Sequence, residues 1–184
     1  MRVKINIDGG SRGNPGIGAA AYVICAPDGK VLAQEGYFMP HCTNNQAEYT
    51  ALKLALIKAK ELGAAELDIV SDSLLLVKQF AGEYKIKNPD LQARMQVIRV
   101  LAAPFKLRLV HVPREQNKAP DALANKAMDA RQSLGFNPIK YLPQDSEILP
   151  LRAEVNGVEV TPVVRGPKKP SAPKGPHQPD LFEL

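Results

Sequence analysis

The chain opens with apolar and polar residues in strict alternation. Val3, Ile5 and Ile7 interleave with Lys4, Asn6 and Asp8. A period of two predicts a half-buried β-strand, and Asp8 stands at its end on the face opposite the apolar set. A glycine-rich loop follows from Gly9 to Gly16, and Gly18–Cys25 is small and apolar, as a buried second strand would be. Pro27-Asp28-Gly29-Lys30 is a turn signal, so Val31–Phe38 reads as a third strand closing an antiparallel meander. The period then changes. Thr43-Asn44-Asn45-Gln46 has capping-box spacing, and the alanine- and leucine-rich run behind it predicts a helix to Leu62, stopped by Gly63, with Glu48 in its first turn.

Beyond Gly63 the pattern alternates between strand and helix. Glu66–Ser71 predicts a fourth strand ending at Asp72, Ser73–Phe80 a short helix, and Asp90–Ala103 an amphipathic helix begun by Asn88-Pro89. Phe105–Val112 predicts a fifth strand. Arg114–Lys118 is a polar loop, and a last helix with Pro120 in its first turn runs to about Leu134 and stops at Gly135. A meander joined to strand–helix–strand crossovers predicts an α/β fold: a five-stranded mixed sheet, three strands antiparallel and two parallel, with helices on its faces.

After this the composition shifts. Eight of the sixteen prolines follow Pro138. The expected organisation is a main folded domain over residues 1–136, an extension over 137–165, and a flexible tail over 166–184. Ala153–Val160 alternates around Asn156-Gly157, the pattern of a small hairpin that needs docking to persist. Gly166–Pro179 has linker composition.

Charge and cysteine content narrow the classes. The chain carries a net charge of +5. Lys/Arg and Asp/Glu cancel from Ile139 onward, so the whole excess lies in the first part, which suits a polyanionic partner. No apolar run is long enough to span a membrane, and the N-terminus lacks a signal-peptide apolar core. Cys25 and Cys42 have no metal-ligand spacing and suit a reducing, cytoplasmic compartment.

Four carboxylates stand at element ends: Asp8 after strand one, Asp72 after strand four, and Glu48 and Asp121 in helical first turns. If strands one and four are neighbours, Asp8 and Asp72 lie side by side. Clustered carboxylates repel unless a cation neutralises them, and hard oxygen ligands select Mg²⁺ or Mn²⁺ over zinc. Two such ions can activate water and stabilise a leaving oxygen in phosphodiester hydrolysis. A carboxylate in a helical first turn also suits the helix dipole, whatever its function.

Asp8-Gly9-Gly10-Ser11 with Gly13-Asn14-Pro15-Gly16, Thr43 to Glu48, Ser71-Asp72-Ser73, and Asn117 followed by Asp121-Ala122-Leu123-Ala124 resemble the motifs of type 1 ribonuclease H, in order from Met1 to about Leu134. The resemblance implies endonucleolytic cleavage of the RNA strand of an RNA–DNA hybrid with two Mg²⁺ ions, or Mn²⁺ in their place. It makes Asp8, Glu48, Asp72 and Asp121 the catalytic metal ligands. It assigns Gly9, Gly10, Asn14, Thr43, Asn44, Asn45, Gln46 and Asn117 to substrate binding, by shape and sugar contacts rather than base sequence.

Three features depart from the family pattern. No histidine stands in the loop before Asp121, where Arg114-Glu115-Gln116 is found; His111 reads as a strand residue without a catalytic role. Glu83–Pro89 is too short for a basic handle helix. Ala119-Pro120 precedes Asp121. A non-catalytic hybrid-binding module and a DNA-directed nuclease are the rival readings. The four acids argue against the first, and the Asn14 and Asn44-Asn45-Gln46 set against the second. The protein is expected to be monomeric. Gln178-Pro179-Asp180-Leu181-Phe182 resembles the short motif by which bacterial replication and repair proteins bind the sliding clamp, with Gln178, Leu181 and Phe182 as anchors.

Overall fold

In the computed structural model, the described residues are 1–136 and the backbone of two short strands, Ala153–Val155 and Val158–Val160. The Asn156-Gly157 turn, the Gly166–Pro179 segment and the Gln178–Phe182 motif lie outside them. Residues 1–136 form a six-stranded mixed sheet in the order β5-β4-β1-β2-β3-β6. The antiparallel meander is β1 (Arg2–Gly13), β2 (Gly16–Cys25) and β3 (Val31–Cys42); β4 (Glu66–Ser71) and β5 (Lys106–His111) run parallel to β1. Helix α1 (Asn44–Glu61), the short α2 (Leu74–Phe80) and α3 (Pro89–Ala102) share the larger core with one face of the sheet, and α4 (Lys118–Ala130) lies on the other.

The alternation of β1 drives this layering. Val3, Ile5 and Ile7 are buried among Leu52, Leu56, Leu67 and Ile69 in the larger core. Each such side chain contributes roughly 1.5–3 kcal/mol by leaving water. The smaller cluster is Ala19, Ala21, Ala124, Ala127 and Met128, where α4 packs on the meander.

Four sequence expectations need correction. The glycine-rich stretch is not a loop: β1 continues to Gly13, and Gly9 to Gly13 pair with Ala20 to Gly16. Only the tip turns, with Gly13 at φ 96°. Glu48 is not in the first turn of α1 but in the next, because the helix begins at Asn44 behind the Thr43 cap. The sheet has a sixth strand, β6 (Leu134–Phe136), paired with Gln34–Gly36 of β3. α4 stops four residues before Leu134 because Arg131 adopts the left-handed conformation, φ 50°, and turns the chain back. Gly135 is not a helix stop. A Cβ there would lie 2.7 Å from the Gln34 carbonyl oxygen, so glycine is what lets β6 lie on β3.

Gly9 sets how closely helix and sheet approach. A Cβ on Gly9 would lie 2.3 Å from the backbone of Ala47 and Glu48, so α1 rests directly on the β1 backbone. At Gly10 the nearest atom is the Asn44 Oδ1 at 3.6 Å, an ordinary contact. Gly9→Ala is therefore expected to cost about 1–3 kcal/mol or more by overpacking, a melting-temperature loss of several degrees, whereas Gly10→Ala stays near wild type. Equal melting temperatures for the two variants in a thermal scan would overturn this account.

Candidate active site

Parallel pairing of β1 with β4 places Ile7 opposite Ser71, so Asp8 and Asp72 emerge next to each other one residue later. The close seating of α1 over Gly9 brings Glu48 to the same point. One carboxylate oxygen from each of Asp8, Glu48 and Asp72 lies within 4.8 Å of the others. They line a cleft of about 390 Å³ with Gly10, Ser11, Asn44, Arg114 and Asp121.

Asp8 and Glu48 are buried, at 8% and 6% exposed. Burial, then the neighbouring Asp72 and Asp121 charges, push the Asp8 carboxyl up to about 7. Burial, then Asp8 and Asp72, hold Glu48 well above the ordinary carboxylate range. The Oε2 of Glu48 is buried with no hydrogen-bond partner. A buried, unpartnered carboxylate oxygen beside two more carboxylates is a site short of positive charge. A divalent cation satisfies all three at once, and oxygen-only donors fit a hard ion such as Mg²⁺ or Mn²⁺.

Asp121 lines the same cleft but stands outside that triad, and Arg114 donates to its Oδ1 at 2.5 Å. The Arg114 guanidinium is raised further by this bond and by the Asp8 and Asp72 charges. Sequence reading noted Arg114 only as filling a position where histidine is usual. The geometry makes it a cation of the cleft, which Arg12 also lines. His111 is exposed on the edge strand β5 and does not line the cleft. Pro120 is buried in the first turn of α4, and Asp121 keeps its place beside it.

Asn117 does not take the substrate-facing position expected of it. It is 1% exposed, and its Nδ2 donates to the Ile7 carbonyl at 2.8 Å and to Asp72 Oδ1 at 3.0 Å. Both amide protons are consumed inside the protein. Asn6, a residue with no sequence signal beyond its place in β1, donates to Asn117 Oδ1 at 3.1 Å and fixes which way the amide faces. The pair aims Asp72 at the cluster.

The other expected substrate residues gather at the rim. Thr43 and Gln46 form the capping box, each side chain accepting from the other's backbone N–H. Gln46 also donates to Asp90 at the start of α3. Asn44 Oδ1 accepts from the Ser11 amide, and the Asn44 amide donates to Asn14 Oδ1. The β1–β2 tip is thereby laced to the start of α1, where helix amides lack intrahelical partners. Asn45 is half-buried in the same turn.

A family model described as reverse transcriptase-like matches residues 6–127. Ribonuclease HI of Halobacterium salinarum is 41% identical over 129 residues, 70% of this chain and 65% of that protein. The bifunctional protein Rv2228c of Mycobacterium tuberculosis is 44% identical over 155 residues; 82% of this chain is covered, but only 43% of the longer mycobacterial protein. That share exceeds the 136 of 184 residues in the described domain, so the alignment runs on into the segment behind β6. The solved structure of LC11-RNase H1 in complex with RNA/DNA hybrid superposes with a TM-score of 0.67 at 36% identity, covering 70% of this chain and 98% of that one. The class these matches share is the ribonuclease H-like α/β fold. The chain belongs to the type 1 ribonuclease H family.

The raised carboxyls fix a direction for pH dependence. Between its ordinary range and about 7, folded Asp8 holds a proton that the unfolded chain has lost, so its contribution makes the metal-free protein less stable as pH rises through that window. Asp8→Asn removes the effect. At pH 8 in chelator the variant is expected to exceed wild type by on the order of 2–4 kcal/mol, from about 1.4 kcal/mol per unit of displacement. The advantage shrinks toward pH 4. Denaturant titrations at pH 4, 6 and 8 check this, and an advantage that grows toward low pH would contradict it.

Proposed function

We propose that this chain hydrolyses the RNA strand of RNA–DNA hybrids endonucleolytically, leaving 5′-phosphate and 3′-hydroxyl ends, with two Mg²⁺ ions held by Asp8, Glu48, Asp72 and Asp121; Mn²⁺ would serve in their place. The observation that carries this reading is the buried carboxylate triad with its unpartnered Glu48 oxygen, open to a cleft. Cations bound there supply Lewis acidity to the scissile phosphate and lower the pKa of water. The protein's own part is positional. Asn117 and Asn6 hold Asp72, the α1–β1 contact holds Glu48, and Arg114 balances Asp121 until a cation enters.

The rim suits recognition by shape. A hybrid presents 2′-hydroxyls in a wide, shallow minor groove, and short polar side chains on rigid caps can meet sugars without reading bases. We assign that contact to Asn14, Asn44, Asn45 and Gln46 with the Gly9 and Gly10 backbone, and a hold on the DNA strand to Thr43 and Asn44. The connection between α2 and α3, residues 81–88, contains no handle helix. Retention of the buried triad disfavours a non-catalytic binding module, and the asparagine rim disfavours a nuclease for DNA duplexes. No helix among the described residues is long and apolar enough to cross a membrane. Two free cysteines fit the cytoplasmic compartment we assign, and we take the working form to be a monomer.

The decisive assay offers end-labelled hybrid, RNA duplex and DNA duplex with Mg²⁺, Mn²⁺ or chelator. Cleavage is expected only on the hybrid's RNA strand and only with metal. Asp72→Asn keeps side-chain size but removes a ligand charge, and at least a 10³-fold loss is expected, with the far-ultraviolet spectrum unchanged (about 4 kcal/mol of transition-state stabilisation). A folded Asp72→Asn protein that cleaves at near wild-type rate sinks the metal-ligand assignment.

The C-terminal motif gives this enzyme a second contact. Gln178, Leu181 and Phe182 supply a polar rim group and two apolar anchors of the kind that fills a sliding-clamp pocket, and tethering there raises local substrate concentration. A peptide of residues 174–184 is expected to bind the bacterial clamp, and the Leu181→Ala, Phe182→Ala peptide to lose at least tenfold in affinity. Equal binding by both peptides, or by neither, would dispose of the tether.

A further inference from the structure

Helix α3 carries two apolar stripes. Leu91, Met95, Ile98 and Ala102 join the larger core. Ala93, Val97, Val100 and, just past the helix, Pro104 repeat the same spacing. At about 100° per residue, Val97 lies roughly 130° around the helix from the centre of the first stripe. Among the described residues it belongs to neither hydrophobic cluster, yet it is 0% exposed. Leu101, one turn further on, packs against the edge of the larger core, and Val97 beyond it is still fully shielded.

Besides α1, helix α3 has the C-terminal ribbon as a neighbour. Strand β7 (Ala153–Val155) lies alongside α3 and pairs with β8 (Val158–Val160). In the register Ala153↔Val160, Glu154↔Glu159, Val155↔Val158, the four apolar residues pair with one another and the two glutamates pair together. A two-stranded ribbon of this length is not stable in water without support. The outer stripe of α3 is an apolar support of matching size. Similarity to the mycobacterial relative also continues past β6, into the segment that leads to the ribbon.

We propose that the paired strands Ala153–Val155 and Val158–Val160 dock on the outer stripe of α3 as an intramolecular clip centred on Val97. The clip braces the helix whose first turn holds Gln46 through Asp90, and so reaches the cleft rim indirectly.

Hydrogen exchange on the full chain tests this. In the wild type, amides of the ribbon are expected to be protected at least ~10-fold over a free peptide, as opening free energies above about 1.4 kcal/mol require. Val97→Asp is expected to abolish that protection while β1 and β4 stay protected. The reciprocal variant Val158→Asp, on the ribbon and away from the core, is expected to speed exchange in the second half of α3. Ribbon amides that exchange at the free-peptide rate in wild type overturn the proposal. So does Val158→Asp leaving α3 unchanged, which needs no folded Val97→Asp protein. Sedimentation of the wild type supplies the last arm: a monomer that keeps its protection on dilution supports the clip, whereas protection that disappears with dissociation of a dimer assigns the stripe to a second copy.

Discussion

Backbone-to-backbone contact between helix and sheet is the constraint on which this molecule depends. Both helices that carry site acids use it. α1 lies on β1 at Gly9, and α4 lies on β3 at Gly36, where a Cβ would meet the Leu123 carbonyl oxygen at 2.7 Å. Alanines continue the same close packing: Ala47 over β1, and Ala19 and Ala21 against Ala124 and Ala127. With larger residues at these points the helices would ride higher, and Glu48 and Asp121 would withdraw from Asp8 and Asp72. Small residues here contribute little burial each. Their role is to set a distance, and the larger core of isoleucines, leucines and Tyr22, on the α1 face of the sheet, supplies the stability that holds it.

That distance creates an electrostatic cost. Two buried carboxyls are displaced upward because burial and their neighbours disfavour charge, and one oxygen has no partner at all. The surroundings resist relaxation. Asn117 is locked between Asn6, the Ile7 carbonyl and Asp72, so Asp72 cannot turn away. Arg114 offsets part of the field from the rim, on an exposed side chain free to move. A cluster held in this way binds a cation with little rearrangement, which is the condition for strong electrostatic stabilisation of a reacting phosphate.

At the rim, the side chains proposed for recognition are the same ones that cap. Asn14 and Asn44 satisfy amides at the start of α1 and at the β1–β2 tip, and Thr43 with Gln46 closes the capping box. These bonds hold short polar groups in one orientation beside the acids. A rigid rim reads sugar geometry better than a flexible one, because less side-chain entropy is lost on binding.

Local pattern alone determined much of this. Period two in β1, the capping box before α1, the αβ alternation after Gly63 and the four acids at element ends all follow from nearest-neighbour chemistry, and they carried the fold class and the triad. What local pattern missed has a common cause. Gly9 to Gly13 read as a loop because glycine usually serves flexibility, but the stretch pairs as a strand, and Gly9 serves the approach of a second backbone. Gly135 read as a helix stop for the same reason, whereas Arg131 makes the turn and the glycine admits β6. Asn117 read as a ligand-facing residue, since a motif records which residue is present and not where its protons go. The bonds that bury it span more than a hundred residues to Asn6 and Ile7. Spacing along the chain determines which elements form; how closely they pack, and which polar groups that packing encloses, is decided only when distant segments meet.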